Sequence, residues 1–104
     1  MLKKSIALSS LLVFPLAFAV DSVEVKALKK DMPQDVALMI DRIVECNHWN
    51  GEETTNKERL AQIKIARDKL SCDALANHQG ALRKRYQNNY EVKARLQSAE
   101  QIFF

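Results

Sequence analysis

The chain opens on an uncharged run from Ser5 to Val20, and beyond it the apolar residues recur at three- and four-residue intervals. Val36, Met39, Ile40, Ile43 and Val44 share one face of a helix predicted over 33–47. Pro33 suits its first turn, and Asp31 suits the positive end of the helix dipole. Leu60, Ile63, Ala66, Arg67 and Leu70 mark a second helix over 56–71. A capping box opens it, with Thr55 accepting an amide bond and Glu58 reaching back. A third helix, capped by Asn77, is predicted over 78–87 and buries Leu82 and Tyr86. Asn88-Asn89 breaks the chain, and a fourth helix follows over 90–102. There Val92, Leu96, Ala99 and Phe103 form an amphipathic stripe. No segment keeps the two-residue period of a strand for more than a few positions. The expected fold is all-α: a small four-helix domain over 33–104, preceded by a flexible polar lead-in over 20–32.

The N-terminus has a different pattern. Met1-Leu2-Lys3-Lys4 is a positive segment, the uncharged run follows, and Ala17-Phe18-Ala19 is a small-x-small cleavage site. Those are the three parts of an export signal, predicted over 1–19. A membrane anchor is the competing reading. The uncharged run is 16 residues long and interrupted by Pro15, whereas a spanning helix takes about 20 predominantly apolar residues. No cysteine lies at the cleavage point to carry a lipid. The expected location is therefore the periplasm or the exterior, with no stable membrane insertion after cleavage.

Removing the signal changes what the charge means. The 104 residues carry 16 bases and 13 acids, but Lys3 and Lys4 leave with residues 1–19 while every acid remains, giving a mature balance of +1. The composition then gives no support to a nucleic-acid partner. Charge is unevenly spread, at −4 over 20–58 and +5 over 59–104. The two halves are expected to attract each other within the fold. About 85 mature residues suffice for one small core and leave no room for a Rossmann unit, a barrel or a hydrolase fold.

Cys46 and Cys72 are the only cysteines, and export predicts a disulfide between them. On the chain-entropy estimate, its closed loop contributes about 3.5 kcal/mol. The alternative is a zinc site of Cys46, His48, Cys72 and His78. The spacings Cys-x-His and Cys-x5-His depart from those of structural zinc sites, and no metal or other cofactor is expected. The predicted bond constrains the fold. In a tight hairpin of the first two helices, Cys46 would lie about 24 Å from Cys72 along the axis, and a disulfide needs Cα atoms within about 7 Å. The connection over 47–54 must therefore cross over and bring the two helix C-termini together.

That connection also holds the densest candidate chemistry. Asn50-Gly51 is a strong turn dipeptide, and His48, Trp49, Glu52 and Glu53 surround it. An EF-hand register on Gly51 puts Cys46 and Lys57 at the two critical ligand positions, which excludes that site. The functional reading is a pocket for a small ligand or a cation, made of an aromatic face, an imidazole and two acids. The structural reading makes Trp49 a core plug and the acids a solvated approach to the next helix. Arg83-Lys84-Arg85, with Tyr86 and Tyr90, is a second candidate contact surface, for a membrane, a headgroup or an acidic partner. The favoured reading is the polar face of the third helix, since Leu82 and Tyr86 are four apart and the bases lie between them. Ser22, Ser71 and Ser98 lack a nucleophile-elbow context, and a Cys-His pair would require reduced cysteines.

Cys46-x-His48-Trp49-x-Gly51-Glu52-Glu53, Glu58-Arg59, Leu70-x-Cys72-Asp73 and Leu82-x-x-Arg85-Tyr86 together resemble a group of small exported proteobacterial proteins of no known function. The resemblance spans about 35–97 and brings no activity, ligand or catalytic residue with it. To exported lysozyme inhibitors the likeness is limited to size, export and cysteine use. The expected role is non-enzymatic: binding a partner protein or small ligand in the cell envelope through His48, Trp49, Glu52, Glu53, Arg83 and Arg85. The alternatives are a metal-binding envelope protein using His48, His78 and nearby acids, and a small hydrolase.

Overall fold

The computed structural model describes residues 22–103, so the expected export signal over 1–19 lies outside the described residues. These residues form five α-helices rather than four: α1 (Val23–Lys29), α2 (Gln34–Gly51), α3 (Lys57–Leu70), α4 (Leu75–Arg85) and α5 (Tyr90–Ala99). A 3-10 turn, Cys72–Ala74, leads into α4. No strand occurs among the described residues.

The additional helix, α1, replaces part of the expected flexible lead-in. The Ser22 hydroxyl accepts from the Val25 amide at 3.2 Å and caps its start. Its single fully buried side chain is Val25, which is 1% exposed. The last carbonyls of a helix lack intrahelical partners. Arg95 of α5 supplies them here, donating from Nη1 to the carbonyls of Ala27, Leu28 and Lys30 at 3.2, 2.9 and 3.2 Å. Asp31 then takes a left-handed conformation, φ 62°, which Asp tolerates better than most residues. Pro33 stands one residue earlier than expected, as the N-cap of α2 rather than in its first turn.

Along α2 the predicted face is the buried one: Val36, Met39, Ile40, Ile43 and Val44, joined by Cys46. Fully burying an aliphatic side chain of this size contributes about 1.5–3 kcal/mol. The helix runs four residues past its expected end, to Gly51. No glycine has positive φ among the described residues, so Asn50-Gly51 is not the tight turn its sequence suggests. Asn47 donates from Nδ2 to the carbonyls of Glu100 and Ile102, both at 3.1 Å. At the other end, the Asp35 carboxylate accepts from Arg85 at 2.7 Å and from the Tyr86 hydroxyl at 2.9 Å. The first tie sets the C-terminal end of α5 beside that of α2, and the second sets the C-terminal end of α4 beside the start of α2.

The other caps also differ from the predicted ones. Asn56, not Thr55, starts α3, its Oδ1 accepting from the Arg59 amide at 2.9 Å. Glu58 is simply the acid of the first turn. Asn77 lies inside α4, because the 3-10 turn after Ser71 starts that helix earlier. Asn89 caps α5 by accepting from the Val92 amide at 3.0 Å.

The buried apolar cluster draws on α1, α2, α4, α5 and the following Ile102, while α3 supplies none of it. This corrects the predicted second face. Of Leu60, Ile63, Ala66, Arg67 and Leu70, Ile63 alone is buried, and Leu60 is 48% exposed. Ile65 is exposed as well. Phe103, assigned to the last stripe, is 69% exposed, and Ile102 is the buried residue in its place. The predicted disulfide pair is present, with Cα atoms of Cys46 and Cys72 5.7 Å apart. Around it, Arg42 donates to the carbonyls of Leu70 at 2.6 Å and Ser71 at 2.8 Å, and Arg67 donates to the Asn50 side chain at 2.7 Å. These pairings run in opposite directions along the two helices. The non-helical 52–56 carries the chain past the end of α2, and α3 returns along the C-terminal part of α2. The apparent conflict between a helical hairpin and a disulfide is removed by this offset.

Candidate functional site

His48 and Trp49 stand on the last turn of α2 rather than in a loop, while Glu52 and Glu53 follow immediately in the connection. The helix therefore fixes the two rings relative to the core. Trp49 is half-buried, so it is not the core plug of the structural reading. The His48 ring meets it edge-on, with centroids 5.0 Å apart and planes at 71°.

The residue that organises this cluster enters the sequence reading only through the Glu58-Arg59 resemblance and not as a candidate binding residue. Arg59, on the first turn of α3, places its Cζ 5.2 Å from the centroid of the Trp49 ring. Its Nε donates to Glu52 Oε2 and its Nη2 to Glu52 Oε1, each at 2.8 Å. Its Nη1 donates to Gln62 at 2.8 Å. A guanidinium thus lies over an aromatic ring and forks onto a carboxylate, the two modes that suit its planar shape. The spacing of Glu52 and Arg59, opposite charges on either side of a short polar connection, was the available signal. It carries no periodicity, so a pattern search passes over it.

Glu52 and Glu53 separate in role. Glu52 is half-buried and bonded to Arg59, whereas Glu53 is exposed. Beside Glu52 opens a groove of about 370 Å³ lined by Asn47, His48, Gly51, Glu52 and Phe103. Below it on α2, burial pushes the Glu45 carboxyl up, and Asp41 one turn earlier pushes it further; His48 and Lys29 pull it partly back. Lys29 pairs with Asp41 at 2.9 Å.

Arg83 and Arg85 are not brought to this site or to each other. Arg83 faces Glu100 at 3.4 Å, and the Gln79 side chain donates to the same carboxylate. Arg85 and Tyr86 bind Asp35 at the opposite end of α2. Burial would raise the Asp35 carboxyl, but the Tyr86 and Arg85 hydrogen bonds, with one from the Val36 amide, outweigh it and hold it below its ordinary value. The same contact raises the Tyr86 phenol. Tyr90 stands apart and is 81% exposed. The basic stretch is thus divided between two structural ion pairs.

The four-ligand metal set is not assembled, since Cys46 and Cys72 are bonded to each other and His78 is exposed on α4. Among the described residues, no group of three or more His, Cys, Asp or Glu side chains is placed to hold a metal ion. No described helix is long and apolar enough to cross a membrane. Compared with protein-family models, with curated proteins and with solved structures, the chain finds no match, so a reading of its function stands on this geometry.

Proposed function

We propose that the protein is a non-enzymatic binding protein of the cell envelope, exported by residues 1–19, which takes a partner protein or a small ligand at the C-terminal end of α2. The observation that carries this reading is the cluster of His48, Trp49 and Glu52 beside a groove of about 370 Å³. Large aromatic rings and guanidinium groups are the side chains over-represented at binding hot spots. Here the His48 and Trp49 rings stand on a helix whose opposite face is the core, which preorganises that side of the site. The disulfide and the Arg42 bonds fasten α3 behind it. Export fits the oxidised cysteine pair, since disulfides persist in oxidising compartments. The group of small exported proteins that the chain resembles in its Cys-x-His-Trp-x-Gly-Glu-Glu motif agrees with that location.

The test is capture from envelope extract on immobilised mature protein, comparing wild type with Trp49→Ala and Glu53→Gln. Truncating a half-buried tryptophan is expected to cost about 1–3 kcal/mol, less than the 3–5 of a fully buried one, and to leave the domain folded. The reading expects an envelope component retained by wild type and lost with Trp49→Ala, with Glu53→Gln weakening it. Identical retention by wild type and folded Trp49→Ala overturns it.

A further inference from the structure

We infer that Trp49 and Glu52 form a guanidinium-binding site which Arg59 of the same chain fills, and that an arginine side chain or other guanidinium ligand takes Arg59's place. The inference rests on the binding reading above and gives it a ligand chemistry. Arg59 reports the recognition directly, with its fork bonded to both oxygens of Glu52 and its Cζ over the Trp49 ring. A guanidinium is unusual in using both contacts at once, since an ammonium has neither the planar face nor the fork. The receiving side belongs to α2: Trp49 in its last turn and Glu52 as its C-cap residue, on a helix anchored by Ile40, Ile43 and Val44.

The occupant is differently placed. Arg59 rides on α3, which gives nothing to the apolar cluster. Besides its one buried side chain, Ile63, that helix is fastened to the bundle toward its far end, through the Arg67–Asn50 bond, Cys72 and the Arg42 bonds to Leu70 and Ser71. Its own cap, Asn56, travels with it. Displacing Arg59 therefore breaks the ion pair and the ring contact, and an incoming guanidinium restores both. The groove lined by Asn47, His48, Gly51 and Phe103 leaves one side of Glu52 open. Arg59 acts as an internal competitor at an effective concentration in the mM range set by its short tether. A free guanidinium must overcome that, and an arginine presented with further contacts does so more readily.

Trp49 is the only tryptophan, so its fluorescence reports on the site. Wild type, Arg59→Ala and the double variant Arg59→Ala/Glu52→Gln are titrated with arginine amide, lysine amide and a short arginine-containing peptide, with circular dichroism checking the helices. Removing the internal competitor should give a saturable response to arginine amide or the peptide at an apparent Kd about tenfold or more below wild type. Lysine amide should not saturate, and the double variant should lose the response. A response to the peptide alone supports an arginine on a partner chain, and an equal response to the amide supports a small guanidinium ligand. Absence of saturation by both arginine probes, equal saturation by lysine amide, or a response that survives Glu52→Gln overturns the inference. Should Arg59→Ala unfold, Arg59→Gln, which keeps a donor toward Glu52, is read by the same criteria. Trp49-dependent capture from extract without a guanidinium response leaves the binding reading standing and removes this one.

Discussion

Glu45 lies on α2 one turn from both Asp41 and His48, and burial, reinforced by Asp41, raises its carboxyl above the ordinary value of 4.5. A carboxyl whose folded value is raised binds its proton more tightly in the fold than in the unfolded chain. Its contribution is favourable below the unfolded value and is lost as pH rises through the folded one. At pH 7 the charge is thus a net cost to folding. Glu45→Gln should raise Tm at pH 7 by about 1–3 °C, with the gain disappearing below about pH 4. Thermal melts of both proteins from pH 3.5 to 7.5 check this, and a gain that grows on acidification contradicts it. Asp35 has the opposite sign. Its lowered carboxyl stabilises the fold above the unfolded value, and that contribution is lost as pH falls through the folded one. At the binding cluster the same scale decides what is readable. Sequence shows an indole, an imidazole and two acids close together, but cannot show that Glu52 is claimed by Arg59 while Glu53 is not. That difference depends on where α3 starts.

Helix by helix, legibility follows burial. The face of α2 was readable because its five apolar positions all pack into one core at helical spacing. The signal for α1 was present in Val25, Leu28 and Met32, spaced three and four apart, but seven residues of helix give too short a period to stand out. For α3 the pattern misled. Leu60 and Leu70 are spaced correctly, but in the first turns of this helix only Ile63 is buried, and Arg59 meets Trp49 and Glu52 rather than the apolar cluster. A helix outside the main apolar cluster, with Ile63 its one buried side chain, depends on its ties. Replacing both cysteines by Ala, or reducing them, removes about 3.5 kcal/mol of loop-closure stabilisation. A loss of that size lowers Tm by about 15 °C or more in a domain of this size. Hydrogen exchange should then show the amides of α3 losing protection before those of α2 and α5. Equal loss of protection in α2 and α3 would mean that the bundle is one cooperative unit.

Across the whole molecule, the expected attraction between an acidic first half and a basic second half holds only in part. Asp35–Arg85 and Glu52–Arg59 join the halves, while Lys64–Asp68, Arg67–Asp73 and Arg83–Glu100 close within the second. Exposed pairs of this kind each contribute up to about 1 kcal/mol, so shape is set by the apolar cluster and charge adjusts to it. Export belongs to this scale as well. Mass spectrometry of the envelope fraction should find a mature chain beginning at Val20, and a full-length chain retained in the cytoplasm contradicts the location and the binding role together. The sequence by itself determined the all-α class, the core face of α2, the start of α5 and the identity of the cysteine pair. These follow from local periodicity, from a capping residue, or from there being no other partner to choose. The tertiary structure alone decided that α3 lies outside the core, that Arg95 closes α1, that Arg83 and Arg85 part company, and that Arg59 occupies the ring and carboxylate at the end of α2. Each of those depends on the offset between elements distant in the chain, and side-chain periodicity within one element carries no information about that offset.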